Sequence, residues 1–154
     1  MAHRIMPSQS MKNKPALYWV SFVLACLGAL DAVYLLVYKL TNNNAMCLGN
    51  GGCHDVNFSA YSEISGIPVS VFGITAFALI VGILLMESRM KFMAENGPLA
   101  IFGISLAGVA FSAYLTWLEI YVIHAICPFC VASAVLITLI FILAIIRLFH
   151  QTAY

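Results

Sequence analysis

The chain has 154 residues, of which 63% are hydrophobic and only 8% are charged, and its formal net charge is +1. Soluble domains carry roughly 25% charged residues, so this composition excludes an ordinary soluble domain and predicts an integral membrane protein. The near-neutral charge excludes the basic surface typical of nucleic-acid-binding proteins, and we expect no nucleic-acid partner.

Four apolar segments alternate with polar or glycine-rich connections, and each is long enough to cross a membrane as a helix of ~20 residues. Pro68 and Pro98 stand at the starts of two of them, where proline suits the first helical turn. The sequence therefore predicts a single all-α domain over residues 1–154, a four-transmembrane-helix bundle with no additional soluble domain. The predicted spans are about 16–40, 68–86, 98–123 and 127–149.

The connection between the first two spans, about 41–67, is the only long loop that the pattern predicts. Several glycines separate Cys47 from Cys53, and adjacent glycines favour a loop that can swing. Farther along, apolar residues over 58–64 recur at a spacing that favours a short interfacial helix lying over the bundle.

The lysines and arginines predict the orientation in the membrane, because cytoplasmic loops carry an excess of these residues. With four spans, Lys39 alone falls on one side, and we expect that side to be extracytoplasmic. Both termini are then expected to be cytoplasmic. The basic residues on the cytoplasmic side are Arg4, Lys12, Lys14, Arg89, Lys91 and Arg147.

Four of the five cysteines fall on the extracytoplasmic face in this topology, which is an oxidising environment in bacteria and in the endoplasmic reticulum. Cys47 and Cys53 lie in the long loop, whereas Cys127 and Cys130 form a Cys-Pro-Phe-Cys motif at a helix N-terminus. The positive end of a helix stabilises a thiolate, which is both the attacking and the leaving group of disulfide exchange. Cys26, within the first span, is interpreted as a small buried apolar residue.

A mobile Cys47/Cys53 pair above a fixed Cys127/Cys130 pair predicts an electron relay from a partner protein to an acceptor in the membrane. The chain carries no nicotinamide or flavin fingerprint, so we predict a lipid-soluble quinone: ubiquinone, menaquinone or phylloquinone. Two alternatives stay open, a pair of structural disulfides and a four-thiolate zinc site. The glycine-rich loop and the oxidising face disfavour the metal, and we predict none.

Several other residues near the relay have two possible roles each. Asp31, within the first span, is either a hydrogen-bonding partner of another helix or a proton relay. Glu119 is interpreted as an interfacial residue, with proton delivery as the alternative. His54 and His124 are interpreted as surface histidines, with contact to a thiolate or a partner as the alternative. Two aromatic residues of the third span are candidates for the wall of a quinone pocket, with plain packing as the alternative: Phe111 and Tyr114.

The chain carries a set of short motifs in this order: Cys47-x5-Cys53, Val56, Ser59, Tyr61, Gly66-Ile67-Pro68, Phe72-Gly73, Cys127-Pro128-Phe129-Cys130 and Ser133-Ala134. In that order they resemble the vitamin K epoxide reductase family in its prokaryotic form, over about 16–146. The four-helix quinone reductases of the DsbB type rank second, because they carry their Cys-x-x-Cys in the first extracytoplasmic loop.

The resemblance implies a four-helix bundle around a quinone, in which Cys130 faces the quinone. It also implies that Cys127 exchanges with Cys53, that Cys47 meets the partner protein, and that Ser59 lies near the relay or the quinone pocket. The implied activity is thiol–quinone oxidoreduction in support of disulfide bond formation. The implied location is the inner (plasma) membrane of a prokaryote.

Bacterial members of this family oxidise a thioredoxin-like periplasmic protein of the DsbA type, which some of them carry as a C-terminal domain. Because this chain ends at Tyr154, we expect the partner to be a separate protein. The animal enzymes have a quinone-contacting asparagine near the position of Val69 and a tyrosine near that of Ala134. These two differences argue against epoxide reduction and leave quinone reduction unaffected.

Overall fold

The computed structural model describes residues 14–42 and 52–153 of the chain. Within them the chain forms five α-helices, one π-helical turn and one two-stranded antiparallel hairpin. The elements in chain order are α1 (Lys14–Thr41), α2 (Gly52–Asn57), β1 (Glu63–Ile64), β2 (Ile67–Pro68), α3 (Val69–Glu87), α4 (Lys91–Leu118), the π-helical turn (Glu119–Ile123) and α5 (Pro128–Thr152).

The four long helices, α1, α3, α4 and α5, are each long and apolar enough to cross a membrane. Each packs chiefly against two neighbours, in the cyclic order α1, α3, α4, α5. The predicted four-helix membrane bundle is therefore confirmed. Pro68 directly precedes α3, so the second span begins within one residue of the predicted position.

The deep core lies where side chains of all four long helices meet, and two glycines determine how closely those helices approach. A Cβ atom at Gly28 would overlap the ring of Phe77, and one at Gly108 would overlap the side chain of Ile137. Small residues at such crossings allow close backbone packing in the membrane. The core residues are Ala25, Phe77, Ile80, Leu84, Ile101, Ile137, Ile140 and Ala144.

The prediction that Pro98 starts a span is wrong, because α4 begins at Lys91 and continues through the proline. Proline has no backbone N–H, so the carbonyl of Ala94 loses its helical partner. The side chain of Gln151 donates a hydrogen bond to that oxygen at 3.3 Å. This contact from α5 compensates for the missing bond, and it depends on a residue far along the chain.

The predicted interfacial helix over 58–64 is also wrong. The chain forms turns over 58–62 and then the hairpin, in which Ile64 pairs with Ile67. Ser65 and Gly66 have φ values of 54° and 82°, and a two-residue type I′ turn requires positive φ at both positions. The Ser-Gly dipeptide is a turn signal that the helical spacing obscured.

A short helix does occur in this loop, but it is α2, which carries Cys53. Cys53 therefore lies in regular structure and not on a swinging loop, whereas Cys47 and most of the predicted glycine hinge lie outside the described residues. The end of α1 contacts the loop through Lys39, whose Nζ lies 2.7 Å from Ser62 Oγ and 3.0 Å from Glu63 Oε1. These contacts hold the loop against the same end of the bundle as α2.

The opposite end of the bundle is joined by a nearly buried ion pair between Glu87 on α3 and Arg147 on α5. Removing one partner of such a pair leaves an uncompensated buried charge, which is strongly destabilising. The two ends of the bundle therefore differ: charges join the helices at one end, whereas the cysteines cluster at the other.

Candidate active site

The sulfur atoms of Cys53 and Cys127 lie 3.6 Å apart, and both side chains are buried. The two residues are 74 positions apart in the sequence, and they meet because α2 lies over the N-terminus of α5. A disulfide has a sulfur–sulfur distance of about 2.05 Å, so this contact is a non-bonded one between two sulfur atoms. Sulfur atoms at this distance need little movement to form or exchange a bond.

Gly52 allows this contact, because a Cβ atom at that position would overlap the carbonyl oxygen of Ile126. Only glycine lets the first residue of α2 lie directly against the segment that leads into α5. Next to it, the side-chain amide of Asn57 donates to the carbonyl of Cys53 at 3.0 Å and supports the last turn of α2. The apolar residues packed around the sulfurs are Leu35, Tyr38, Val56 and Phe129.

Cys127 is the N-cap residue of α5, and Pro128 occupies the first helical position. The hydrogen bond from the Cys130 thiol lowers the pKa of the Cys127 thiol to about 7, and the backbone N–H groups of Phe129 and Cys130 act in the same direction. The helix N-terminus thus stabilises a thiolate at Cys127. At neutral pH about half of this group is therefore ionised, which favours it as an attacking and a leaving group.

Cys130 lies one helical turn further into the bundle, where it lines a cavity of about 150 Å³. The cavity wall is predominantly apolar and includes the rings of Phe72 and Phe111, whose centres are 6.4 Å apart. An apolar cavity of this volume holds a benzene-sized ring. The arrangement therefore places a redox-capable thiol beside a space that fits one six-membered ring.

Three of the four residues predicted for the quinone pocket line this cavity: Ser59, Phe111 and Cys130. The expectation for Tyr114 is not met, because its ring is 51% exposed on the outer surface of α4. The position that faces the cavity is Leu115, four residues after Phe111 on the same face of the helix.

Sequence reasoning missed Ser70, whose hydroxyl is buried and has no hydrogen-bond partner among the described residues. It lines the cavity, where a buried hydroxyl without a partner is energetically costly. The other serine of interest, Ser59, donates its hydroxyl proton to the carbonyl of Val56 at 2.8 Å. Ser70 is thus a hydrogen-bond donor available to a molecule in the cavity.

The interfacial interpretation of Glu119 is wrong. Its side chain is only 3% exposed and belongs to the π-helical turn that ends α4. Its carboxylate accepts a hydrogen bond from the backbone N–H of Cys127 at 3.4 Å and contacts the thiol of Cys130. A carboxylate within an apolar span is the signal that could have identified it, because such groups usually face the interior of a bundle.

The remaining polar candidates form local contacts. The hydroxyl of Ser133 on α5 donates to the carboxylate of Asp31 on α1. Of the two roles considered for Asp31, this contact matches the hydrogen bond to another helix. His54 stacks on Phe58 with ring centres 4.6 Å apart, and exposed His124 ends the π-helical turn with a φ of 57°. No group of three or more His, Cys, Asp or Glu residues that could hold a metal ion occurs within 14–42 and 52–153.

The sequence matches known proteins over most of its length. The sequence model of the vitamin K epoxide reductase family matches residues 19–145. The thiol-disulfide oxidoreductase LTO1 of Arabidopsis thaliana is 33% identical over 122 residues, which are 75% of this chain and 32% of that protein. The chain thus spans about a third of the length of this curated relative.

Replacing Gly52 by alanine should separate α2 from Ile126 and slow the reaction between Cys53 and Cys127. Overpacking of this kind costs about 1–3 kcal/mol, so we expect disulfide formation between them to slow roughly tenfold. The measurement uses a Cys47→Ala/Cys130→Ala background, limiting diamide and gel-shift counting of the remaining thiols. The control is Gly103→Ala, because a Cβ atom there meets no other atom within 4 Å. Equal rates in the two variants would show that α2 does not depend on Gly52.

The thiolate of Cys127 should titrate with a midpoint near pH 7 in the fully reduced protein. Because the pKa is lowered, the thiolate is present above this pH and is lost as the pH falls through it. The measurement is the ultraviolet absorbance of thiolate, taken as the difference between the unmodified protein and Cys127→Ser. In Cys130→Ala the midpoint should rise towards the ordinary thiol value of about 8.5. A midpoint that does not respond to Cys130→Ala would rule out the Cys130 thiol as its main cause.

Proposed function

Because this chain belongs to the vitamin K epoxide reductase family, we propose that it is a membrane thiol oxidoreductase that oxidises a thioredoxin-like protein of the DsbA type and delivers the electrons to a quinone. In this way it supports disulfide bond formation in the partner's substrates. The observation that carries the proposal is the contact of Cys53 with Cys127, 3.6 Å apart, beside a Cys130 that lines an apolar cavity. Two dithiols joined by such a contact can pass electrons in sequence.

The first reaction is dithiol–disulfide exchange with the partner. A thiolate of the reduced partner attacks a Cys47–Cys53 disulfide, and a mixed disulfide forms. The second partner thiol resolves it, so that the partner leaves with a disulfide and this chain keeps the thiols of Cys47 and Cys53. Two electrons and two protons have then moved from the partner to this pair.

The second reaction returns the outer pair to its disulfide. Cys53 attacks Cys127 of a Cys127–Cys130 disulfide, and Cys130 leaves with the bonding electrons. Cys47 then attacks Cys53, which re-forms the Cys47–Cys53 disulfide and releases Cys127. A pKa of about 7 makes Cys127 a good leaving group in this step, since a more acidic thiol leaves faster.

The residues around the cavity fit a quinone ring. The cavity of about 150 Å³ has a predominantly apolar wall, and Cys130 is among its lining residues. Ser70 would donate its hydroxyl proton to a ring carbonyl. A bound quinone would supply an acceptor for the two electrons of the reduced Cys127/Cys130 pair and would take up two protons. Ubiquinone, menaquinone and phylloquinone share a quinone ring, and each is a candidate acceptor.

We propose that the cysteine end of the bundle is extracytoplasmic and that both termini are cytoplasmic, in a prokaryotic inner membrane. Arg89, Lys91 and Arg147 lie at the end of the bundle opposite to the cysteines, which supports this orientation. Disulfides form and persist on that oxidising face, so a partner that transfers disulfides is expected there.

The relay should require all four cysteines. The protein is purified in detergent and mixed with a reduced thioredoxin-like partner and a short-chain quinone, and quinone absorbance is followed. Cys47→Ala, Cys53→Ala, Cys127→Ala and Cys130→Ala should each reduce turnover to the rate without protein, because each breaks one link of the exchange. Cys26→Ala, which removes a cysteine of the first span, should retain full turnover.

Full turnover of the Cys130→Ala variant would contradict the proposal that Cys130 lies next to the electron acceptor. No turnover with any quinone, together with thiols that stay locked in disulfides during the reaction, would contradict the relay and support a structural role for the cysteines.

Removing the hydroxyl of Ser70 should weaken quinone binding without slowing the chemistry. A hydrogen bond of this kind contributes about 1 kcal/mol, so Ser70→Ala should raise KM for the quinone roughly fivefold at an unchanged kcat. The matched control is Thr75→Ala on the same helix, because the Thr75 hydroxyl is exposed and already bonded to the Val71 carbonyl. An unchanged KM for ubiquinone and menaquinone analogues would exclude Ser70 from the quinone site.

A further inference from the structure

The exchange between the two cysteine pairs gives a path for the electrons but none for the protons. Oxidation of the Cys127/Cys130 dithiol to a disulfide releases two electrons and two protons, and both protons must move from a buried site. The wall of the cavity beside Cys130 is predominantly apolar and offers few groups that could take a proton. A proton-carrying side chain next to the reacting sulfurs is therefore needed, and the part of the chain that the structure describes offers one.

Glu119 lies where such a group is required. Among the described residues that line the cavity it is the only one with a carboxyl group. Lys39 also lines the cavity, but its Nζ is bonded to Ser62 and Glu63. Within residues 14–42 and 52–153 Glu119 forms no ion pair, and a buried carboxylate without one is costly unless hydrogen bonds stabilise it.

Those hydrogen bonds come from the redox pair itself. The backbone N–H of Cys127 donates to Glu119 Oε2 at 3.4 Å, and the thiol of Cys130 is within hydrogen-bond reach of the same carboxylate. The Cys130 thiol has a single proton and two possible acceptors, Glu119 and the sulfur of Cys127. The proton can therefore move from sulfur to carboxylate without any change in the backbone.

The backbone at Glu119 adopts an uncommon conformation, a π-helical turn. The π-helical turn Glu119–Ile123 ends α4, and the backbone N–H groups of His124 and Ala125 both donate to the carbonyl of Glu119, that of Ala125 at 3.1 Å. A π-helical turn contains more residues than an α-helical one and so changes the direction in which side chains point. Here Glu119 and Ile123 both line the cavity. Such turns are rare and frequently occur at functional sites.

We propose that Glu119 is a catalytic acid–base residue, which takes the proton of the Cys130 thiol when the dithiol is oxidised and passes it into the cavity. The inference rests on the proposed function for its acceptor, but the exchange between sulfur and carboxylate is a property of this chain alone. Per turnover the Cys127 and Cys130 sulfurs form one bond and lose two electrons and two protons. Glu119 accepts one proton and returns to the carboxylate when it gives that proton up.

The other proton belongs to Cys127, whose pKa of about 7 allows it to ionise before oxidation. This proton leaves on the side of the Cys53 contact, and an equivalent proton from solvent completes the two that the acceptor takes up. The balance is one dithiol and one quinone consumed, and one disulfide and one quinol formed. The Cys130 proton is the one that Glu119 carries inside the bundle.

The test is Glu119→Gln, which preserves the shape of the side chain and an oxygen that accepts from the Cys127 N–H, but cannot carry a proton. Pre-reduced protein is mixed with a short-chain quinone, and a single turnover is followed. General acid–base catalysis contributes about 10²–10⁴-fold, so the rate should fall by at least about 100-fold. The rate at which the Cys47–Cys53 disulfide oxidises the first equivalent of a reduced partner should stay unchanged, because that exchange involves neither Cys130 nor Glu119.

Two further variants separate proton transfer from structural damage. Glu119→Asp keeps a carboxyl group and should recover part of the single-turnover rate. Glu95→Gln makes the same chemical change at an exposed position of α4 and should leave both rates unchanged. A single-turnover rate in Glu119→Gln within about twofold of the unmodified protein would overturn the inference, since general acid–base catalysis contributes far more than that.

A second readout does not involve the quinone. The infrared difference spectrum between diamide-oxidised and dithiol-reduced protein should contain a carboxylic-acid C=O band that is lost in Glu119→Gln and retained in Glu95→Gln. If the band survives in Glu119→Gln, the inference fails even where quinone reduction is observed. If the band depends on Glu119 but no quinone is reduced, the proton exchange stands and the proposed electron acceptor is the part that fails.

Discussion

The contact between the sulfurs of Cys53 and Cys127 is the interaction on which the rest of the site depends. It joins a short helix of the extramembrane loop to the N-terminus of a membrane-spanning helix, at a sulfur separation of 3.6 Å. Gly52 makes the approach possible, and the apolar residues around the sulfurs exclude water. Cys130, one turn along α5, connects this contact to the cavity. A shift of α2 would therefore interrupt the route between the loop and the membrane interior.

The bundle also obeys the constraint that polar groups in an apolar surrounding need partners. Asp31 is bonded to Ser133, and Glu87 is paired with Arg147. Gln151 compensates the carbonyl that the proline of α4 leaves without a helical donor. These contacts join different helices, so they hold the bundle in register. Glu119 differs from them, because its partners are the two cysteines of the Cys-x-x-Cys motif.

Electrons and protons follow separate routes in the mechanism proposed for this family member. Electrons pass from sulfur to sulfur along a line that starts outside the bundle and ends at Cys130. The proton of Cys130 moves sideways to Glu119, which lines the same cavity. Ser70 also lines that cavity, and its hydroxyl has no hydrogen-bond partner within the described residues. The carboxyl group of Glu119 and the hydroxyl of Ser70 thus face one cavity, and neither group takes part in the sulfur-to-sulfur exchange.

The four spans and the two redox motifs could be predicted from the sequence, because span length, apolarity and a Cys-Pro-Phe-Cys motif before a helix are local properties. The tertiary structure alone decided which residues meet. Cys53 reaches Cys127 across 74 positions, and the start of α5 brings the backbone N–H of Cys127 to the carboxylate of Glu119. Tyr114 lies outside the pocket because the rotation of α4 depends on its neighbours. These outcomes depend on contacts between segments that are far apart in the chain, so the pattern of any one segment cannot predict them.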